Sequence, residues 1–493
     1  MFPRPTGQSM QDRRIWEHPI LKWDRSKSVK LNYNGQEMTA YTNETIAAAL
    51  YAAGVVAFTR SGYLHRSRGP FCMIGKCSQC MMRVDGVPHV RTCITPVDDG
   101  VLVETDNPHD SEYPTPRYEL KVEKQEVSYD FVIVGAGPAG LSAALSAAPS
   151  GMRIAVLDQS PYPGGQLIKQ THKFFGTKES FAGTRGVDIA RNLVSWLKDY
   201  QNVEIYPMTQ VVGYFPPEGV LMAVRADGVG KYKVMMIRAN KFLVAAGAME
   251  RTLAFPGNDL PGIMGAGSAQ TLMNVFGIRP ADDVMVIGAG NVGVIVAYQA
   301  RQAGINVKAV IDILPKTAAY LVHAAKIRRM QIPVLMEHTI KGAYGKDSVE
   351  SAVIYQVDKS FKPIEGSEKE IKVDGIWMAV GLSPSTELLE KMGARIKFVP
   401  ELGGYVPYRT KYLETSVNGV YVAGDASGIE EASTAMMEGR IAGISAAISS
   451  GRGTDSMVEE RRKAVEWLDL FRESPDYKRI KAGISKVLIE EVA

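Results

Sequence analysis

Phe131 to Gly140 reads FVIVGAGPAG. Four apolar residues stop at Gly135, and Gly137, Pro138, Ala139 and Gly140 follow at the spacing of a nucleotide-binding strand, turn and helix. The first glycine lets the backbone turn sharply and the second lets it approach a pyrophosphate. The third lets helix and strand pack closely, leaving N–H groups at the helix N-terminus facing the anion. One such match is weak. Val284 to Gly293, VMVIGAGNVG, repeats it with Gly288, Gly290 and Gly293, so the reading is of two dinucleotide-binding units rather than one glycine cluster.

An acidic residue roughly 20 positions further on should accept the ribose hydroxyls. Asp158 closes RIAVLD, with Gln159 beside it, and Asp312 closes VKAVID; both are in register. The bland alternative is a Gly-rich turn in an ordinary α/β layer, with each acid serving as a loop or cap residue. A membrane span over Phe131 to Ala148 is disfavoured, because Pro138 and three glycines interrupt it and no basic flank accompanies it.

All four cysteines fall between positions 72 and 93, as Cys72-x4-Cys77-x2-Cys80-x12-Cys93. The first three reproduce the plant-type [2Fe–2S] loop, in which small residues such as Gly75 and Ser78 let the backbone wrap two irons and donate N–H groups to sulfur. A structural zinc more often uses two Cys-x2-Cys pairs or adds histidine, and only one such pair is present. Disulfides fit poorly in a chain with no secretory signal in its early residues.

Around these cysteines SVKLNYNGQEMTAY reads as two strands about Asn-Gly, ETIAAALYAAG as a helix ending at glycine, and MMRVDGVPHVRTC as a second hairpin about Asp-Gly. This small module is expected over 1–105. The polar, Pro-containing stretch NPHDSEYPTPR lies within an expected linker, 106–127.

The 493 residues suit about three domains, and 45% hydrophobic content is ample for packed cores. A net charge of +4 is too small at this size to suggest nucleic-acid or membrane-surface binding. The expected location is cytoplasmic, at most peripheral to a membrane electron acceptor.

After Asp158 come Gly164-Gly165-Gln166, then KFLVAAGAMERTLAFPG from Lys241, the second fingerprint, GIWMAVGLSPSTEL from Gly375, and GVYVAGDASG leading into STAMMEGRIAGISAA. This order resembles the flavoproteins with two dinucleotide-binding domains, the NAD-type one inserted in the FAD-type one. With the ferredoxin-like module in front, the chain is similar to the alpha subunits of dye-linked L-proline dehydrogenases and heteromeric sarcosine oxidases.

The resemblance implies an α/β fold of two Rossmann-like domains behind a small α+β module. The expected parts are an FAD-type domain over 128–267 and 386–450, an NAD-type domain over 268–385, and a C-terminal helical segment, 451–493. It also implies that Gly164, Gly165, Gln166, Ala246, Gly247, Gly424 and Asp425 approach the flavin. The implied activity is that of an electron-transfer subunit in a complex oxidising amino or imino acids, proline foremost, which is oxidoreductase chemistry on CH–NH donors.

Implied partners are a beta subunit with its own FAD, an FMN at the subunit interface and a small-molecule electron acceptor. The glycine motifs themselves read only an ADP-like moiety, so FAD, NAD and ATP remain open at the first site, with NAD at the second. No cysteine follows Cys93, which excludes the thiol-disulfide chemistry of disulfide reductases. AVIDILP lacks an arginine pair and disfavours NADP.

No catalytic side chain is nominated: the seven histidines are scattered, and no carboxylate pair for general-base work is evident near the motifs. A stand-alone NAD(P)H reductase and a scaffold with a structural nucleotide are the competing functions. Ala464, Trp467, Leu468 and Phe471, then Ile480, Ile484, Val487 and Leu488, recur at helical spacing, for packing on their own domain or for a partner.

Overall fold

The computed structural model describes residues 12–105 and 121–490. The N-terminal module carries β1 (Ser28–Tyr33), β2 (Gln36–Tyr41), α1 (Ile46–Ala52), β3 (Met81–Val84), β4 (Val87–Arg91) and β5 (Val101–Glu104), in the sheet order β2-β1-β5-β3-β4. Both expected hairpins form. Their turns hold Asn34 and Gly35, then Asp85 and Gly86, all at positive φ, the twist that two-residue hairpins require. Helix α1 starts where the Thr45 hydroxyl accepts the Ala48 N–H at 3.3 Å.

Next come β6 (Lys121–Val134), α2 (Pro138–Ala147), β7 (Ile154–Leu157), β8 (Val203–Tyr206), β9 (Thr209–Phe215), β10 (Val220–Ala226) and β11 (Lys231–Val244). The expected linker is shorter than its sequence suggested. Residues 106–120 lie outside the described residues, and from Lys121 the chain is already strand, paired with Lys231 onward in β11. The polar alternation of KVEKQEVSYD concealed it, because most of these side chains face away from the core.

The inserted domain holds β12 (Ile263–Gly265), β13 (Asp283–Ile287), α3 (Asn291–Gln302), β14 (Asn306–Asp312), α4 (Leu321–Arg329), β15 (Val334–Met336) and β16 (Gly375–Met378). Its sheet, β12-β16-β13-β14-β15, is wholly parallel, and its central strands β16 and β13 are largely apolar and buried. The chain returns to the first sheet through β17 (Val420–Val422), which pairs with β11 in the order β8-β7-β6-β11-β17. Helices α5 (Ala432–Ser449), α6 (Asp455–Arg472) and α7 (Lys478–Ser485) complete the described chain.

Two compact units result. The N-terminal module joins Glu250–Val380, and the first nucleotide-type domain joins 381 onward. The inserted unit thus starts earlier than 268, since β12 is part of its sheet. The module is fastened to it by main-chain bonds from Ile15 N to Gly277 O (2.6 Å) and from Arg279 N to Arg13 O (2.8 Å). The buried Tyr51 hydroxyl adds a bond to Pro280 O at 3.0 Å.

On the C-terminal helices, Ala464 and Leu468 are buried in the core of their own unit. Full burial of a leucine contributes roughly 1.5–3 kcal/mol. Trp467 stacks on Phe471 at 4.9 Å, Val487 is buried beside Ile480 and Ile484, and Leu488 is exposed. Most of these side chains therefore pack within their own unit, with Leu488 left on the surface. No described helix is long and apolar enough to cross a membrane.

Candidate functional site: two glycine turns and a thiol-lined loop

At the first fingerprint β6 ends at Val134 and the chain turns at Gly135, whose φ of +110° is open only to glycine without strain. A Cβ there would stand 2.3 Å from Ala245 O, and one on Gly140 would stand 1.9 Å from Gly135 O. Gly137 caps α2, with Pro138 and Ala139 in its first turn. The second fingerprint is a geometric copy. Gly288 has φ +107°, its Cβ would meet Ala379 O at 2.3 Å, and a Cβ on Gly293 would meet Gly288 O at 1.9 Å.

The two acids repeat the parallel. Asp158 Oδ2 accepts the Ala136 N–H at 2.7 Å and Asp312 Oδ2 accepts the Ala289 N–H at 2.7 Å. Their second oxygens accept Ser160 N–H at 2.8 Å and Leu314 N–H at 2.9 Å. Each carboxylate is thereby held at the mouth of its glycine turn. The mouths differ: a Cβ on Gly290 meets nothing within 4 Å, whereas one on Gly137 has the Gly165 Cα at 3.8 Å. Gly164 N donates to Ala136 O at 2.7 Å, which folds the Gly164-Gly165 turn onto the first fingerprint. Gln166 beside it is exposed, and Gln159 is half-buried.

The structure also gathers the C-terminal motif here. A Cβ on Gly424 would lie 3.0 Å from the Ala139 Cβ, in the first turn of α2, and Asp425 follows, half-buried. Ala246 and Gly247 leave the end of β11, where Gly247 O accepts Ser385 N–H at 3.0 Å. Helix α5 runs directly on α2, since Cβ atoms on Gly439 and Gly443 would fall 2.0 and 2.2 Å from the Ala139 and Ala143 carbonyl oxygens.

A buried carboxylate pair lies near the motifs, held in ion pairs rather than free for general-base work. Glu430 and Glu438 both engage the Arg472 guanidinium, and Glu438 bonds to Gly424 and Ser427. A signal was present, because Glu438 is the lone ionisable residue in ASTAMMEG, and a charge in so apolar a run must find partners.

In the other unit the four cysteine side chains draw together. Cys72 contacts Cys77 and Cys93, and Cys80 contacts Cys93. Cys72, Cys80 and Cys93 are buried. Met73, Gly75 and Ser78 take positive φ, which turns the loop inward so that Ile74 and Lys76 donate N–H groups to the Cys72 sulfur at 3.5 and 3.4 Å. The Thr92 hydroxyl bonds to the Cys80 carbonyl at 2.6 Å, placing Cys93 beside Cys80.

Hydrogen bonds from the Cys77 and Cys93 thiols lower the Cys72 pKa, and a bond from Cys93 lowers that of Cys80. The donors Cys77 and Cys93 are raised in return. Inward amides and a shared thiol cradle fit a binuclear iron centre. The cysteines touch pairwise, and among the described residues no group of three or more His, Cys, Asp or Glu is arranged around one ion position.

The cysteine loop is bonded to the inserted domain. Phe71 O accepts the Gly265 N–H at 3.0 Å. Gly265 pairs with Met378, which pairs with Ile287, so the residue before Cys72 meets the sheet two strands from the second glycine turn. Two strand spacings amount to roughly 10 Å.

These features define a two-dinucleotide-fold redox protein with an iron–sulfur module. The chain belongs to the pyridine nucleotide-disulphide oxidoreductase family, which it matches over residues 129–439, and residues 26–108 match a 2Fe-2S iron-sulfur cluster binding domain. The pairing points to iron–sulfur and flavin cofactors.

It is 29% identical over 345 residues to an opine oxidase subunit of Agrobacterium tumefaciens (strain Ach5), covering 64% of this chain and 65% of that one. It is 25% identical over 475 residues to the alpha subunit of sarcosine oxidase from Rhizobium meliloti (strain 1021), covering 84% and 45%. The crystal structure of L-proline dehydrogenase from P. horikoshii shares the fold, with a TM-score of 0.67 at 24% identity over 91% of this chain and 79% of that one. The match thus spans just under two thirds of the opine oxidase relative and under half of the sarcosine oxidase relative. The two-dinucleotide-domain family and the iron–sulfur module expected from the motifs are the ones found.

Proposed function

We propose that this chain is the electron-transfer alpha subunit of a heteromeric, flavin-dependent dehydrogenase acting on the CH–NH bond of an amino or imino acid, with L-proline the leading substrate. The observation that carries the proposal is a four-cysteine cradle bonded through Phe71 and Gly265 to the same compact unit as a dinucleotide turn. The similarity to opine and sarcosine oxidase subunits supports it.

On this reading Cys72, Cys77, Cys80 and Cys93 hold a [2Fe–2S] cluster. Gly135, Gly137, Gly140 and Asp158, with Gly164, Gly165, Gly424 and Asp425, hold FAD or another adenine nucleotide such as ATP. Gly288, Gly290, Gly293 and Asp312 hold NAD. When bound, these groups supply the electron-carrying capacity. The chain's own part is to hold diphosphates on two helix N-termini, to present a carboxylate to each ribose and to keep water from the buried thiolates. An FAD-containing beta subunit is the proposed partner, with FMN at the interface, a small-molecule electron acceptor and a cytoplasmic location.

The test is to purify the chain with and without a co-expressed beta subunit. Nucleotides released by acid are identified by chromatography, iron and sulfide are assayed, and dye reduction is followed. Proline-dependent reduction only with the partner present is the expected result. The intact second turn, with Asp312 placed as Asp158 is, favours a second reading as a self-sufficient NADH:acceptor reductase. NADH-driven dye reduction by the chain alone would establish that reading in place of the first.

A further inference from the structure

Residues 129–439 carry the family match, so helix α6 lies beyond it, yet α6 delivers its last residue into the first nucleotide-type domain. Arg472 Nε bonds to Glu430 Oε2 at 3.0 Å, and Nη2 bonds to Glu430 Oε1 and, at 2.6 Å, to Glu438 Oε1. The other oxygen of Glu438 accepts two bonds from the C-terminal motif: Gly424 N–H at 2.9 Å and the Ser427 hydroxyl at 2.7 Å. Glu438 is 2% exposed and Arg472 8%. Arg409, also 2% exposed, adds a second buried guanidinium in the field of Glu438 and Glu430.

The energetics give this network its meaning. A buried ion pair is weak as a source of stability, since desolvation offsets most of the attraction, but breaking it by removing one partner costs several kcal/mol. What such a pair does supply is a fixed geometry. Gly424 has φ +69° and sits 3.0 Å, measured from a Cβ built on it, from the Ala139 Cβ in the first turn of α2. Its own N–H is taken by Glu438, so the orientation of the Ala423–Gly424 peptide, at the entry to the motif, is set from beneath. Glu438 also immediately precedes Gly439, the residue that lies on the Ala139 carbonyl. One carboxylate therefore ties the C-terminal motif to the helix end that faces the diphosphate.

We infer that Glu438 and Arg472 are positioning residues of the first nucleotide site, and that the C-terminal helix α6 is a working part of that site. The inference rests on the assignment of that site to an adenine nucleotide. Arg472 fixes Glu438, Glu438 fixes Gly424, and Gly424 lies against the first turn of α2, with Asp425 next in the chain. The polar atoms of both side chains are engaged with the protein itself, so both would act on affinity through the shape of the loop.

The experiment uses the full chain stripped of nucleotide, as wild type, Arg472→Met, Arg472→Lys and Glu438→Gln. Circular dichroism first confirms folding at the working temperature. The Kd for FAD and for ATP is then titrated on the folded protein, a quantity that a purely structural loss of stability would leave unchanged. We expect Arg472→Met and Glu438→Gln to weaken the nucleotide that wild type binds about tenfold or more, with Arg472→Lys in between because it keeps the charge but loses the two-pronged geometry. Should Arg472→Met fail to fold, the nearly isosteric Glu438→Gln carries the comparison. Wild-type affinity in both folded variants would overturn the inference. A wild type that binds neither FAD nor ATP would instead overturn the assignment of the site, and the inference with it.

Discussion

Gly290→Ala and Gly293→Ala lie three residues apart on the same helix start, and the structure separates their consequences. Gly290 caps α3 with φ −76° and ψ −177°, a conformation alanine adopts freely, and its added methyl meets nothing within 4 Å. Losing glycine at an N-cap costs roughly 0.5 kcal/mol, and the reduced freedom of the unfolded chain returns about 0.4–1 kcal/mol. Stability should therefore move by no more than about 0.5 kcal/mol. The methyl does occupy the approach to the helix N-terminus, so an anion there loses at least one charge-assisted bond, worth about 1.5–3 kcal/mol. That is roughly ten- to hundredfold in Kd.

Gly293→Ala is the reverse case. Its methyl would stand 1.9 Å from the Gly288 carbonyl oxygen and 3.2 Å from the Ala379 Cβ. The first of these is backbone, so the helix must move off the strand, at a cost of about 1–3 kcal/mol or more. Urea unfolding measures the stability of both variants, and calorimetric titration with NAD and ADP measures binding. Two results would refute the reasoning: a Gly290→Ala protein that binds as wild type does, or equal destabilisation by the two substitutions.

Cys80→Ser removes one of the four thiols, and iron should fall from about two per chain to well under half of that while far-ultraviolet dichroism is retained; undiminished iron would remove Cys80 from the ligand set. His323, buried on α4 and stacked 6.2 Å from Tyr298, has its pKa lowered from 6.5 to about 4 by burial, with Lys326 adding to the effect. Its folded pKa is the lower one, so the stabilising contribution is complete above pH 6.5 and is lost as pH falls towards 4, with about 3 kcal/mol at stake over that window. His323→Gln should flatten that decline in urea midpoints between pH 7 and 4.5, and an unchanged slope would sink the assignment.

Most of the fold and much of the candidate site are local in sequence, and for that reason legible. A glycine turn, its helix start and the acid at the end of the next strand occupy about 22 residues, and their spacing follows from backbone geometry alone. The hairpins at Asn34-Gly35 and Asp85-Gly86, the helix after Thr45 and the Cys72 to Cys93 spacing are local in the same sense. The start of β6 at Lys121 was not legible, because a strand with most of its side chains turned from the core leaves no apolar pattern.

From the residue order came the strand-turn-helix units, the thiol loop and the family, since each is a short-range pattern whose steric demands few side chains meet. Only the tertiary structure decided what meets across long separations. Phe71 joins Gly265, Gly424 rests on Ala139, and Arg472 reaches Glu438 from a helix beyond the family match. A hydrogen bond or a buried charge pair depends on where two distant segments are packed, and one-dimensional spacing carries no record of that.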